Sequence, residues 1–164
     1  MSIPLSLNGT TYNYPENGQD LGTWGEDATA WAQAVTDILN TLVAPGDILA
    51  TTANINDNVS VATDVAGMNF DPTLVRATNV TYSIYRISTD EPSGNTEDGT
   101  IFLNYDNNAS PGSKWTLSQR TNGNAGVSFS ITDLGQVQYT STQIDNGGGG
   151  YSGIIRFAAR SLSP

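Results

Sequence analysis

Apolar and polar residues alternate along most of the chain after Gly46, the period of a strand with one buried face. Stretches 81–88, 100–105, 115–118, 127–131, 137–141 and 154–158 carry the pattern. In the fourth of these Val127, Phe129 and Ile131 point one way while Ser128, Ser130 and Thr132 point the other. That predicts a sheet with one dry face and one face turned to water or a partner. Between the strands lie segments that accept turn geometry: Glu91-Pro92-Ser93-Gly94, residues 107–112, Thr121-Asn122-Gly123-Asn124 and Asp133-Leu134-Gly135. Together they predict a mainly β chain, an antiparallel β-sandwich or barrel-like domain over residues 44–164. Residues 47–75 are expected to be β as well, with Ile48 and Val59 to Val61 as candidates, although their place in the sheet does not follow from the pattern.

Over residues 26–42 the period changes to that of a helix. Ala28, Trp31, Val35, Ile38 and Leu42 are spaced 3, 4, 3 and 4, an a/d heptad seam. Thr23 and Glu26 are spaced as a capping box, Glu26 and Asp27 suit the first turn, and Pro45-Gly46 stops the helix. About 25 Å of helix is marginal alone in water, so the seam must be covered. Two partners fit: the chain's own β-domain, or copies of the same helix around a symmetry axis.

The first 25 residues read as an extended arm, with Pro4, Pro15 and four glycines, and with Ile3, Leu5 and Leu7 alternating like a short strand. Tyr12, Tyr14 and Trp24 are rings of the kind that anchor interfaces. Extended, some 20 residues reach on the order of 65 Å. The arm either folds over its own domain or orders against a neighbouring copy or shell, with Ile3, Leu5, Leu7, Tyr12, Tyr14 and Trp24 as the anchoring side chains. The expected organisation is therefore arm 1–25, helix 26–43 and β-domain 44–164.

Composition removes chemistry more than it adds any. The chain of 164 residues has no cysteine and no histidine, which excludes disulfides, thiolate nucleophiles, histidine-based triads and the usual zinc sites. It is rich in small polar types, with 16 Asn, 20 Thr, 15 Ser and 17 Gly. No apolar run is long enough to span a membrane. Met1-Ser2-Ile3-Pro4 lacks the basic and apolar blocks of a signal peptide, which predicts synthesis in the cytoplasm without translocation. All six basic residues, Arg76, Arg86, Lys114, Arg120, Arg156 and Arg160, follow residue 75, whereas nine of the 16 acids precede it. An acidic leading half is repelled by phosphate backbones and drawn to basic protein surfaces, so nucleic acid is not an expected partner.

No residue pattern specifies a catalytic site, and no enzyme, cofactor or metal is expected. Asp90, Glu91, Glu97 and Asp98 cluster around a turn, where solvated loop acids are the plainer explanation than a glycosidase pair. Asn54, Asn56, Asp57 and Asn58 offer oxygens but lack the glycine and bidentate glutamate of a calcium loop. Gly147 to Gly150 precede Tyr151-Ser152 and not the Lys-Ser of a phosphate loop, and are expected to form a flexible loop tip. Tyr82, Tyr85, Trp115, Tyr139 and Tyr151 either stack on sugars or fill the core.

Asn8-Gly9-Thr10-Thr11-Tyr12-Asn13-Tyr14-Pro15, followed by Trp24-Gly25-Glu26-Asp27-Ala28-Thr29-Ala30-Trp31-Ala32, resembles N-terminal segments of virion structural proteins from tailed bacteriophages. Gly126 to Ile131, Gly135 to Thr142 and Tyr151-Ser152-Gly153 are similar to the C-terminal β-domain of phage fibre and head-decoration proteins. The resemblance implies a homotrimer, attached by its arm to the major capsid protein or another virion protein, with the β-domain outward. It therefore favours self-association of the helix through Ala28, Trp31, Val35, Ile38 and Leu42. With no repetitive shaft over residues 43–75, a compact capsid decoration (cement) protein leads. A short tail fibre or tail tip touching a host receptor is second, and a carbohydrate-binding β-sandwich module third.

Overall fold

The computed structural model describes residues 3–7, 10–14, 24–42 and 44–163; side chains are described from Gly25 onward, except those of Asp27, Ile38, Asn40, Thr41 and Leu42. The chain divides into two compact units, Met1–Val43 and Ala44–Pro164.

In the first unit β1 (Ile3–Leu7) pairs antiparallel with β2 (Thr10–Tyr14), and α1 (Trp24–Leu42) lies against β2. The expected strand at Ile3, Leu5 and Leu7 is therefore present but doubled back as a hairpin, with Ile3 opposite Tyr14 and Leu5 opposite Tyr12, and not one extended run. Asn8-Gly9, which separates the strands in the sequence, is the dipeptide that most favours a tight hairpin turn. The helix begins two residues before its expected start. Thr23, the expected cap, lies outside the described residues.

The second unit contains β3 (Ile48–Asn54), β4 (Thr63–Asn69), β5 (Ala77–Ile87), β6 (Asn95–Tyr105), β7 (Trp115–Gly123), β8 (Val127–Ile131), β9 (Gln136–Ser141) and β10 (Ser152–Leu162). They form two antiparallel sheets, ordered β3-β10-β5-β6-β7 and β4-β9-β8. Val80, Tyr82, Ile84, Ile101, Leu103, Ile155 and Phe157 of the larger sheet share one buried core with Val65, Met68, Val127, Val137 and Tyr139 of the smaller. Tyr82 meets Phe129 across that core edge to face, with ring centroids 5.3 Å apart. The fold is thus mainly β with one helix, as the alternation predicts.

Two local expectations need correction. Val59 to Val61 form no strand. Val59 packs against the core from a loop while Val61 is exposed, and the two strands of the region, β3 and β4, flank that loop. Thr121, Asn122 and Gly123 are not a loop but the end of β7, paired with Gly99, Asp98 and Glu97. Extended backbone there is held by the ladder whatever the turn propensity of the side chains.

Carboxylates tie the loops. Asp133 accepts from the Gly112 and Lys114 amides, Asp71 from the Thr73 hydroxyl and amide, and Asp47 from Arg160 and the Ser161 and Ala44 amides. Thr73 lowers the pKa of Asp71, and the Gly112 and Lys114 amides that of Asp133. For Asp47 burial acts upward, but the Ser161 amide, Arg160 and the Ala44 amide outweigh it and the pKa is lowered. All three therefore bind protons more weakly folded than unfolded, where a carboxyl titrates near 3.8. Their contribution to stability is complete above that value and is lost as pH falls through the lower folded values. Thermal melts should keep one midpoint from neutrality to about pH 5 and fall below about pH 4; a midpoint that rises on acidification would contradict this.

Candidate functional site

A sandwich has two outward sheet faces, and the larger sheet's is the candidate site. In β5 Asn79, Thr81, Ser83 and Tyr85 alternate outward with Val80, Tyr82, Ile84 and Arg86 inward. Register then fixes what stands beside them. One row runs Thr52, Arg156, Ser83, Asp98, Asn122 across all five strands, and the next runs Ala158, Thr81, Thr100, Arg120. A third places Arg160 beside Asn79, Phe102 and Ser118. Two shallow depressions of about 350 and 480 Å³ open on this face and share Thr81, so a trough crosses the strands over small side chains. Arg120, Arg156 and Arg160 stand around it, Arg120 with its guanidinium carbon 5.8 Å from the Phe102 ring centre. The result is a flat, hydrogen-bonding, locally basic surface on a chain of net charge −10.

Beneath one end of the sheet lies a buried polar network that ties its strands to the loops. Arg86 is wholly buried and donates to Asp57 at 2.7 Å, to the carbonyls of Ala125 and Thr142 at 2.6 Å each, and to the Tyr151 hydroxyl at 3.0 Å. Asp57 also accepts the Ile144 and Asp145 amides. Glu97, 5% exposed, accepts from the Tyr82 hydroxyl at 2.6 Å, from Gln119 at 3.1 Å and from the Ala125 amide at 3.0 Å. Gln119 donates to the Tyr82 oxygen as well. One residue, Ala125, thus faces Glu97 with its N–H and Arg86 with its own carbonyl, linking the two buried side chains. Burial, then the bond to Glu97, raises the Tyr82 pKa; burial raises that of Tyr151. Tyr82 reaches Glu97 by lying across Gly99, where a Cβ would come within 2.6 Å of its hydroxyl and of the Arg120 carbonyl.

This network redraws several sequence expectations. Glu97 is no solvated loop acid: it shares the inward face of β6 with Ile101 and Leu103, while Asp98 faces out. The Asn54 to Asn58 oxygens do not converge as a cation loop, since Asp57 turns to Arg86, and among the described residues no cluster of three acids could hold a metal. Gly147 to Gly150 are a tied tip, not a flexible one. The Gly147 and Gly149 amides donate to Asp145, the Gly148 amide to Asp90, and the Gly149 carbonyl accepts from Thr89. Of the five aromatics, Tyr82, Trp115 and Tyr139 are core, Tyr151 is half-buried against Arg86, and Tyr85 is exposed.

The residues expected to drive assembly all map to the first unit. Ala28 and Val35 are half-buried in the single chain and Trp31 is 38% exposed, with Leu39, outside the expected seam, at 58%. Ala34, also outside it, is the buried position among the described side chains of α1. The side chains of Ile38, Leu42, Ile3, Leu5, Leu7, Tyr12, Tyr14 and Trp24 lie outside the described residues. The basic sheet face was missed in the sequence because Arg120, Arg156 and Arg160 come together only through register.

No helix among the described residues is long and apolar enough to cross a membrane. No family model matches the chain, and no curated protein matches it. Among solved structures it is similar to the tailspike protein of Acinetobacter phage vB_ApiP_P1, with 12% identity and a TM-score of 0.48 over 70% of this chain. The similar part spans 22% of that protein's length.

Proposed function

We propose that the chain is a phage virion structural protein, a homotrimeric capsid decoration protein whose helices associate through Ala28, Trp31, Val35, Ile38 and Leu42 and whose N-terminal segment binds the head shell. The observation that carries this reading is the exposure of large apolar side chains on α1, Trp31 and Leu39, in a unit whose only other described element is a hairpin of two five-residue strands. A unit that small cannot bury such a helix by itself, so its apolar face is fitted to assembly. The resemblance of the segments around Tyr12 and Trp31 to phage virion proteins gives the assembly its setting, a virion made in a bacterial cytoplasm.

On this reading the protein binds and does not catalyse. Glu97, Asp47 and Asp57, acids with little exposed side chain, each already accept three hydrogen bonds or ion-pair contacts. Their oxygens are engaged in holding strands and loops together.

Sedimentation of the full chain tests the trimer, and binding to undecorated capsids, with imaging of the particles, tests the location. Trp31→Ala should weaken self-association by about 2 kcal/mol or more per chain while leaving the β-domain's thermal transition in place. A stable 17.3 kDa monomer at micromolar concentration would overturn the trimer. Label confined to tails would favour the fibre or tail-tip reading over decoration.

A further inference from the structure

The charge asymmetry of the sequence is resolved in a consistent way where it is resolved at all. Both ion pairs seen among the described residues of the second unit, Arg86 with Asp57 and Arg160 with Asp47, join an acid from the first 75 residues to a base from the remainder. The first unit, Met1–Val43, holds five further acids and no base. Two of them, Glu26 and Asp37, lie on one stripe of α1 with Ala30 and Gln33, all four exposed. At about 100° per residue that stripe is roughly 150° around the helix from the apolar seam. Arg120, which lines the trough, and Arg156, which stands beside Ser83 at its edge, are likewise exposed.

The spacings agree. Glu26 and Asp37 are eleven residues apart on a helix, about 16 Å. Arg156 and Arg120 stand three strands apart and one two-residue step along, also about 16 Å. Between them the floor is Ser83, Thr81 and Thr100, short enough to admit Ala30 and Gln33.

We propose that the basic trough of the five-stranded sheet is the docking surface for α1 of a second copy, with Glu26 on Arg156 and Asp37 on Arg120. This rests on the self-association proposed above and names its second contact: the seam joins helices, and the opposite stripe locks each helix onto a neighbour's β-domain. In that orientation Gln33, which donates one amide hydrogen to Asp37, comes over β6 and offers the other to Asp98, the one acid in that row of the trough. Asp47 keeps Arg160 occupied at the margin.

Charge exchange in the full-length protein tests it. Arg120→Glu with Arg156→Glu, and separately Glu26→Lys with Asp37→Lys, should each weaken assembly roughly tenfold at low salt, a difference that shrinks as salt screens the pairs. All four residues are exposed, and unchanged thermal transitions would verify folding. Mixing the two variants should restore assembly above that of either alone, though short of wild type, because two of the three helix–face contacts in a mixed trimer then join opposite signs. Restoration only when all four changes share one chain would mean docking within a chain and overturn the proposal. Assembly that depends on Trp31 but is indifferent to both charge variants would overturn it while leaving the trimer intact, and a wild-type monomer would remove both.

Discussion

Arg86→Met is expected to cost about 3–5 kcal/mol of stability, the loss typical of removing one partner from a buried charge pair. The methionine fills much of the arginine's volume but donates nothing. Asp57 loses its counter-charge, and the Ala125 and Thr142 carbonyls lose their donor in the protein interior. These acceptors sit in three different loops, so the cost is spread over the end of the sandwich. Urea titration measures it, and a loss under about 1 kcal/mol would mean that water replaces the guanidinium there. Adding Asp57→Asn to Arg86→Met should cost less than the two single losses combined, since the second change relieves the charge stranded by the first.

The second large effect is expected at Gly135. Its φ is +84°, and a Cβ there would lie 1.8 Å from the Phe70 carbonyl oxygen, in a place where the Phe70 amide donates to the Gly135 carbonyl at 3.0 Å. Neither backbone can withdraw without losing that bond. Gly135→Ala should therefore destabilise by about 3 kcal/mol, from left-handed strain and overlap together. Gly112 supplies the control: φ is +85° but no atom lies within 4 Å of its missing Cβ, so Gly112→Ala should show the strain alone, about 1 kcal/mol. Equal losses at the two sites would remove overlap as the cause.

Strands whose inward residues are all apolar are legible in the sequence; Val127–Ile131 is read to the residue. The opening residues of β5 and β6 are not, because Thr78 and Glu97 occupy inward positions and remove the contrast on which alternation depends. β4 hides for another reason. Its buried residues, Val65 and Met68, are three apart, the ladder shifts between Asp64 and Asn69, and Gly67 takes φ +79°. The hairpin of the first unit reads in the sequence as an extended arm because its prolines and glycines outweigh the one hairpin signal, Asn8-Gly9. For the candidate site, helix spacing reveals which of α1's residues share a face, but the sheet's arginines are 36 residues apart in sequence between Arg120 and Arg156, and only pairing through β5 and β6 sets them on one surface.

The strand order β3-β10-β5 has a consequence for how the chain is made. Among the described strands Ser152–Leu162 is the last to be synthesised, yet it fills a position inside the larger sheet, hydrogen-bonded to β3 on one side and to β5 on the other. Until it leaves the ribosome, β3 has no partner in that sheet, Asp47 lacks Arg160, and the edge of β5 is open to any strand that passes. On a polysome carrying several nascent copies, folding is thus late and closes by insertion, and the outward row of Asn79, Thr81 and Ser83 on β5, polar throughout, limits what that waiting edge can capture.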